Sequence, residues 1–190
     1  MLSLNEITSD VKNILVEDPQ WTKLTRVNNN WSGDPLFYNY HKLGNKQKGV
    51  AGEHYVQTMM EVQNSTVEPP VDPGHDRIID GIKTEIKFGL AVSKGEDILP
   101  DRFIINHVAV GKDWDRLIFC GINPLGSDSP RSRVYYFDKK DFAKYMKSGG
   151  KLVFKHQQSG KKVGNDDFIC ADFAGFSKLP FVKEIKDWRR

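Results

Sequence analysis

His75-Asp76-Arg77-Ile78-Ile79-Asp80-Gly81-Ile82-Lys83-Thr84-Glu85-Ile86-Lys87 is the stretch on which the fold turns. Asp80-Gly81 between two β-type runs predicts a two-residue hairpin turn, because both turn positions need positive φ and Asp and Gly tolerate it. The turn sets the register. Ile79 pairs with Ile82, Ile78 with Lys83, Arg77 with Thr84 and Asp76 with Glu85. Directly opposed residues share a face, and so do residues two apart on one strand. Asp76, Lys83, Glu85 and Lys87 are therefore expected on one face of one hairpin.

Two opposed carboxylates repel, and a divalent cation neutralises them well. Carboxylates, waters and a backbone carbonyl suit Mg²⁺, a hard ion that prefers oxygen. A lysine beside such an ion adds a positive charge and a proton-handling group, which together meet the needs of phosphodiester hydrolysis. Lys83 either touches phosphate or balances the carboxylates. Asp80 is a rival for the role of Asp76, but it lies in the turn, only five residues before Glu85.

Upstream, residues 48–62 (KGVAGEHYVQTMMEV) predict a helix with Ala51, Tyr55, Val56, Met59, Met60 and Val62 on one side. Glu53 falls at the margin of that stripe. Three prolines in STVEPPVDPG break the helix. A short N-terminal helix is expected over 5–16. Strands are expected over 76–79, 82–88, 103–110, 116–122, 134–138, 151–156 and 168–173, with helices near 139–148 and 178–188. The order predicts an α/β (α+β) chain: a mixed β-sheet core flanked by helices, with a small N-terminal helical and loop lobe.

These residues resemble the PD-(D/E)XK nucleases, the superfamily of type II restriction endonucleases, Holliday-junction resolvases and repair nickases. The resemblance rests on Asp76…Glu85-Ile86-Lys87 and on Glu53 in the upstream helix, and spans roughly residues 50–125. His75 stands where the motif often has Pro. The resemblance implies a restriction-endonuclease-like fold and a Mg²⁺-dependent endonuclease, with Mn²⁺ able to substitute. Asp76, Glu85 and the Ile86 carbonyl are implied as metal ligands, Glu53 as an auxiliary ligand, and Lys87 as the residue that positions or activates the attacking water. Asn106 and His107, on the next strand, are candidates for lining the DNA cleft. The chain divides accordingly into an N-terminal lobe (1–46), a catalytic core (48–125) and a basic C-terminal part (126–190), all within one nuclease domain.

The rest of the sequence fits that expectation. The 190 residues suit one domain, with 38% hydrophobic and 28% charged residues excluding a collagen-like chain, and many aromatics arguing against disorder. No apolar run approaches the ~20 residues that span a bilayer. The N-terminus does not read as a secretory signal. Cys120 and Cys170, in apolar surroundings, read as reduced core thiols and point to the cytoplasm. Cys and His show no short-spaced pairs of the kind that hold zinc. Gly44-Asn-Lys-Gln-Lys-Gly49 lacks the Gly-Lys-Ser/Thr ending of a phosphate loop.

Net charge is only +3, but residues 131–162 carry ten Lys/Arg against two Asp. A segment this basic predicts a phosphate-binding surface. Arg131, Arg133, Lys155, Gln157, Lys161 and Lys162 are its candidate DNA contacts. Double-stranded DNA is thus the expected partner. A restriction enzyme that cuts both strands of a palindrome is expected as a homodimer, with room for a cognate methyltransferase acting on the same site. A structure-specific phage recombination or repair nuclease, and a non-catalytic DNA-binding module with a nuclease-like fold, are the competing readings.

Overall fold

Asp80 and Gly81 take φ of +51° and +79°, and the hairpin closes on them with Ile79 opposite Ile82, Ile78 opposite Lys83 and Arg77 opposite Thr84. That is the register expected from the turn. The computed structural model describes residues 43–91, 102–122, 132–149 and 167–185, together with residues 10, 11, 13–15 and 17. In chain order its elements are α1 (Asn45–Val62), β1 (Val67–Glu68), β2 (Arg77–Ile79), β3 (Ile82–Leu90), β4 (Arg102–Val108), β5 (Arg116–Ile122), β6 (Ser132–Asp138), α2 (Lys139–Lys147), β7 (Asp167–Asp172), α3 (Phe173–Lys178) and β8 (Lys183–Ile185).

Six strands form a mixed sheet in the order β1-β2-β3-β5-β6-β8. Among the described strands only β3 and β5 run parallel, from Thr84 opposite Arg116 to Leu90 opposite Ile122. A parallel pair needs a crossover, since a tight turn cannot return the chain in the same direction. Here the crossover contains β4, which leaves the main sheet and pairs antiparallel with β7. The fold is therefore α+β, with a six-stranded mixed sheet flanked by helices.

Both faces of the sheet are covered. Ile118, Cys120 and Ile122 of β5 point to one face, with Ile79, Ile86 and Val134. There they meet Tyr55, Val56 and Met59 of α1, and Val11, Leu15 and Leu43. Leu117 and Phe119 point to the other face, with Tyr135 and Phe137 of β6. There they meet Phe103 of β4, Phe142 of α2, Phe176 of α3, and Trp114 and Phe181. Burial on both sides explains why β5 reads as an unbroken apolar run, LIFCGI, rather than as an alternating strand. Burial also pushes the Cys120 thiol far up, which keeps it a protonated core residue.

Several expectations are corrected. Helix α1 starts at Asn45, where Gly44 N–H donates to the Gln47 side chain at 3.0 Å. Of the N-terminal segment, Val11 and Leu15 are fully buried in the core that α1 helps to form. The proline-broken stretch contains β1, recruited by the hairpin tip: Asp80 N–H donates to the Thr66 carbonyl, and the Asp80 carboxylate accepts the Thr66 N–H. The helix expected over 178–188 is not formed over its described residues, 178–185. Helix α3 ends at Lys178, and β8 follows. Pro180 disfavours helical backbone at Leu179, and Leu179, Phe181 and Val182 are buried as a turn instead. The strand expected over 151–156 lies outside the described residues.

The approach of α1 to β3 is set by Gly52. A Cβ built there would lie 2.4 Å from Phe88 Cβ. Gly52→Ala should therefore lower the thermal midpoint, with a stability loss of ~1–3 kcal/mol, the range typical of overpacking. Gly49, on the same helix, has nothing within 4 Å of its added Cβ. Gly49→Ala should raise the midpoint, with a stability gain of up to about 1 kcal/mol from helix propensity. Melting both variants checks the pair; equal behaviour would mean that α1 does not lie against Phe88.

Candidate active site

Strand β2 begins only at Arg77, opposite Thr84, whereas β3 continues to Leu90. Past Thr84 the β2-side edge of β3 is thus free of any strand among the described residues. Asp76 occupies the start of that open edge. It does not stand opposite Glu85, as the ideal register required. Its N–H donates to the Thr84 carbonyl at 3.0 Å, and its carboxylate accepts the Ile86 N–H at 2.7 Å. Direct opposition would set two carboxylates face to face. Turning Asp76 toward the sheet edge gives its charge a backbone donor instead. N–H and C=O of one strand residue leave on the same side. The Ile86 carbonyl therefore points to the edge that Asp76 occupies.

Glu85 and Lys87 share the next face of β3. Glu85 is 4% exposed, and its Oε1 receives the Lys87 ammonium at 2.7 Å and the Lys112 ammonium at 3.5 Å. Lys112 comes from the segment between β4 and β5. Glu53 reaches the same group from α1, on the other face of the sheet. Arg77 fixes its approach. The guanidinium lies 3.7 Å from Glu53, donates to Gln57 of α1 at 3.0 Å, and donates to the Asp76 carbonyl at 2.6 Å. Arg77 and Lys112 were not foreseen. Arg77 was visible only as an alternating strand residue, and nothing in the segment Gly111-Lys112-Asp113 marks its lysine.

The carboxyls feel one another. Glu53 is held above its ordinary pKa by burial and then by the Asp76 charge. Asp76 is raised by burial and then by Glu85, partly offset by the Ile86 N–H, Lys87 and Lys112. Two carboxylates, a backbone carbonyl and a third carboxylate nearby make an all-oxygen donor set of the kind that suits Mg²⁺. The three carboxylates do not close on a single point. Among the described residues, the three donors whose ligand atoms all lie within 4.8 Å are others: Asp72, His75 and Asp113.

The remaining candidates are placed as follows. Asp80 is engaged with Thr66 at the turn, away from Lys87. Lys83 is held by Asp113 and, at 3.4 Å, by Asp72, so it balances carboxylates of the neighbouring loops. Asn106 and His107 are exposed on β4, whose partner is β7; His107 has φ +58° at an irregularity of that ladder. Arg133 is paired with Glu184 of β8 at 3.1 Å. Arg131, Lys155, Gln157, Lys161 and Lys162 lie outside the described residues. On α2, Lys140, Lys144 and Lys147 are exposed at the spacing of one helix face. An open groove of about 650 Å³ near the hairpin turn is lined by Arg116, Asp138, Lys139 and Lys140, among others, and not by the carboxylate cluster.

The raised Asp76 carboxyl has a consequence for stability. A carboxyl with a higher pKa folded than unfolded favours the fold when protonated, and that contribution is lost as pH rises through the folded value. Asp76→Asn keeps an acceptor for the Ile86 N–H and removes the charge. In the presence of EDTA, its thermal midpoint should exceed that of the wild type at neutral pH. The gap should shrink as pH falls to the ordinary Asp range. A gap independent of pH would show that Asp76 carries no such strain.

No protein-family model matches this chain, and no curated protein matches it.

Proposed function

We propose that the chain is a Mg²⁺-dependent endodeoxyribonuclease with a restriction-endonuclease-like core, acting as a sequence-specific enzyme of the type II restriction class. One observation carries the reading. Glu53 from a helix, and Asp76, Glu85 and Lys87 from a hairpin, lie near enough to act on one another's charge, with Lys87 2.7 Å from Glu85, where β3 has no partner strand among the described residues. An open sheet edge is a place that a phosphodiester backbone can approach, and the cluster has the donor types that its hydrolysis needs.

Asp76, Glu85 and the Ile86 carbonyl would hold Mg²⁺, with Glu53 as the outer carboxylate and Mn²⁺ as a substitute ion. Bound there, the ion supplies Lewis-acid polarisation of a phosphate oxygen and a more acidic water. The chain's own residues do the rest. The Ile86 N–H fixes the Asp76 carboxylate. Arg77 holds Glu53 and the Asp76 backbone at a set separation. Lys87, leaving Glu85, offers an ammonium to orient the attacking water and to stabilise the charge that develops on phosphate. Lys140, Lys144 and Lys147 on α2 supply exposed cations for DNA backbone contacts. Cleavage of both strands of a palindrome would use a homodimer. No helix among the described residues is long and apolar enough to cross a membrane. A cytoplasmic enzyme beside a cognate methyltransferase completes the reading.

The test is incubation of the wild type and Lys87→Ala with unmethylated phage-length duplex DNA, in Mg²⁺ or EDTA. Discrete fragments are expected from the wild type in Mg²⁺ alone. Lys87→Ala should cleave at least about 100-fold more slowly, the scale for removing one charge-stabilising donor. Cleavage of branched DNA only would replace the restriction class with a structure-specific one. Binding without cleavage of any DNA would remove the enzyme.

A further inference from the structure

We propose that Asp72, His75 and Asp113 form a second metal site, distinct from the hairpin carboxylates, for a divalent transition ion of which Zn²⁺ is the best fit. The proposal does not depend on the nuclease reading.

Each of the three residues offers a ligand atom, and those atoms all lie within 4.8 Å of one another. An acidic pair alone would mean little. His75 is what singles the place out. Its side chain is fully buried, and neither ring nitrogen has a hydrogen-bond partner among the described residues. Nδ1 faces Asp72 Oδ1 at 3.4 Å. A buried imidazole with no hydrogen-bond partner on either nitrogen is costly unless something takes one of them. Asp72 is pre-set in turn, since its Oδ1 accepts the Gly74 N–H at 2.8 Å.

The two loops are also built to meet. A Cβ on Gly74 would lie 2.6 Å from Asp113 Cβ and 2.8 Å from Asp72 Oδ1, so only glycine lets the Asp113 segment come this close. At present Lys83 sits between the carboxylates of Asp72 and Asp113. Its side chain is a third exposed, so the ammonium can swing to water when another cation arrives.

The donor set decides the ion. One imidazole nitrogen and two carboxylate oxygens, with water completing the shell, suit Zn²⁺. Mg²⁺ and Ca²⁺ prefer oxygen alone. Zinc ligands are usually sought as short-spaced Cys and His pairs, and a site made of one His and two Asp, with Asp113 far along the chain, escapes that search. The position suggests a clamp. His75 directly precedes Asp76, and Asp113 directly follows Lys112. An ion held by these loops would tie together two segments that feed the carboxylate cluster.

Zn²⁺ binding should be measured by calorimetry on the full chain after chelator stripping. Visible absorption of bound Co²⁺ would report on nitrogen ligation. The wild type and an Asp76→Asn/Glu85→Gln double variant should both bind one tight Zn²⁺ here. His75→Gln and Asp113→Asn should each weaken it at least tenfold. Asp113 is largely exposed, so its variant tests the site even if His75→Gln fails to fold. Lys83→Met should bind more tightly than the wild type. No binding by the wild type, or equal binding by wild type and Asp113→Asn, would overturn the site. So would binding that survives in Asp113→Asn and disappears in the double variant.

Discussion

The Asp76 carboxylate accepting the Ile86 N–H is the contact on which the candidate site depends. Strand β2 is three residues long and β3 nine, so most of one β3 edge has no neighbouring strand among the described residues. Unpaired edge N–H groups invite pairing with another strand. Here a side chain takes the first of them. The same bond places a negative charge beside Glu85 without setting the two carboxylates directly opposite each other. Arg77, one residue on, turns to the helix side and fixes Glu53. Helix, hairpin and open edge are thereby joined through two consecutive residues, Asp76 and Arg77.

The closeness of α1 to β3 is the second requirement, and it follows from packing. Tyr55, Val56 and Met59 bury their side chains against Ile86 and its neighbours. Gly52 removes the one Cβ that would hold Phe88 off. Glu53, the next residue, rides on that contact to the rim of the sheet. Its acidity is then shaped by burial first and by Asp76 second. Charge and packing act on adjacent positions of one helix turn.

Sequence was most informative where a local rule fixes a backbone. Asp80-Gly81 gave the hairpin and every ladder pair as far as Arg77 and Thr84. The apolar stripe of α1 matched its buried face. The reading failed where a side chain competes with the ladder or where a distant segment supplies the partner. The offset of Asp76 is a side-chain-to-backbone bond that pairing rules do not contain. The assignment of β4 to β7 joins residues roughly sixty to seventy positions apart, and it moved Asn106 and His107 onto a different ribbon. Lys83 obeyed strand parity, but its partner Asp113 comes from a loop whose approach depends on Gly74. The C-terminal helix was lost to Pro180, a signal that was present but outweighed by the apolar pattern around it.

The two acidic clusters are built on one electrostatic plan. At the hairpin, Glu85 is shared by Lys87 and Lys112, and Glu53 faces Arg77. At the neighbouring loops, Asp72 and Asp113 share Lys83. Clustered carboxylates need a counter-charge, and a flexible ammonium serves while remaining exchangeable. Lysine can let go of a carboxylate when another cation replaces it, and its stem then carries the freed charge a few ångströms away. Arginine at these places would fork onto the carboxylate and resist exchange. The fixed role is accordingly taken by Arg77, whose guanidinium is committed to three partners. The exchangeable roles fall to Lys83, Lys87 and Lys112. Under the proposed function, that division would make Lys87 the residue whose release from Glu85 couples cation binding to the appearance of a positive charge beside this edge of β3.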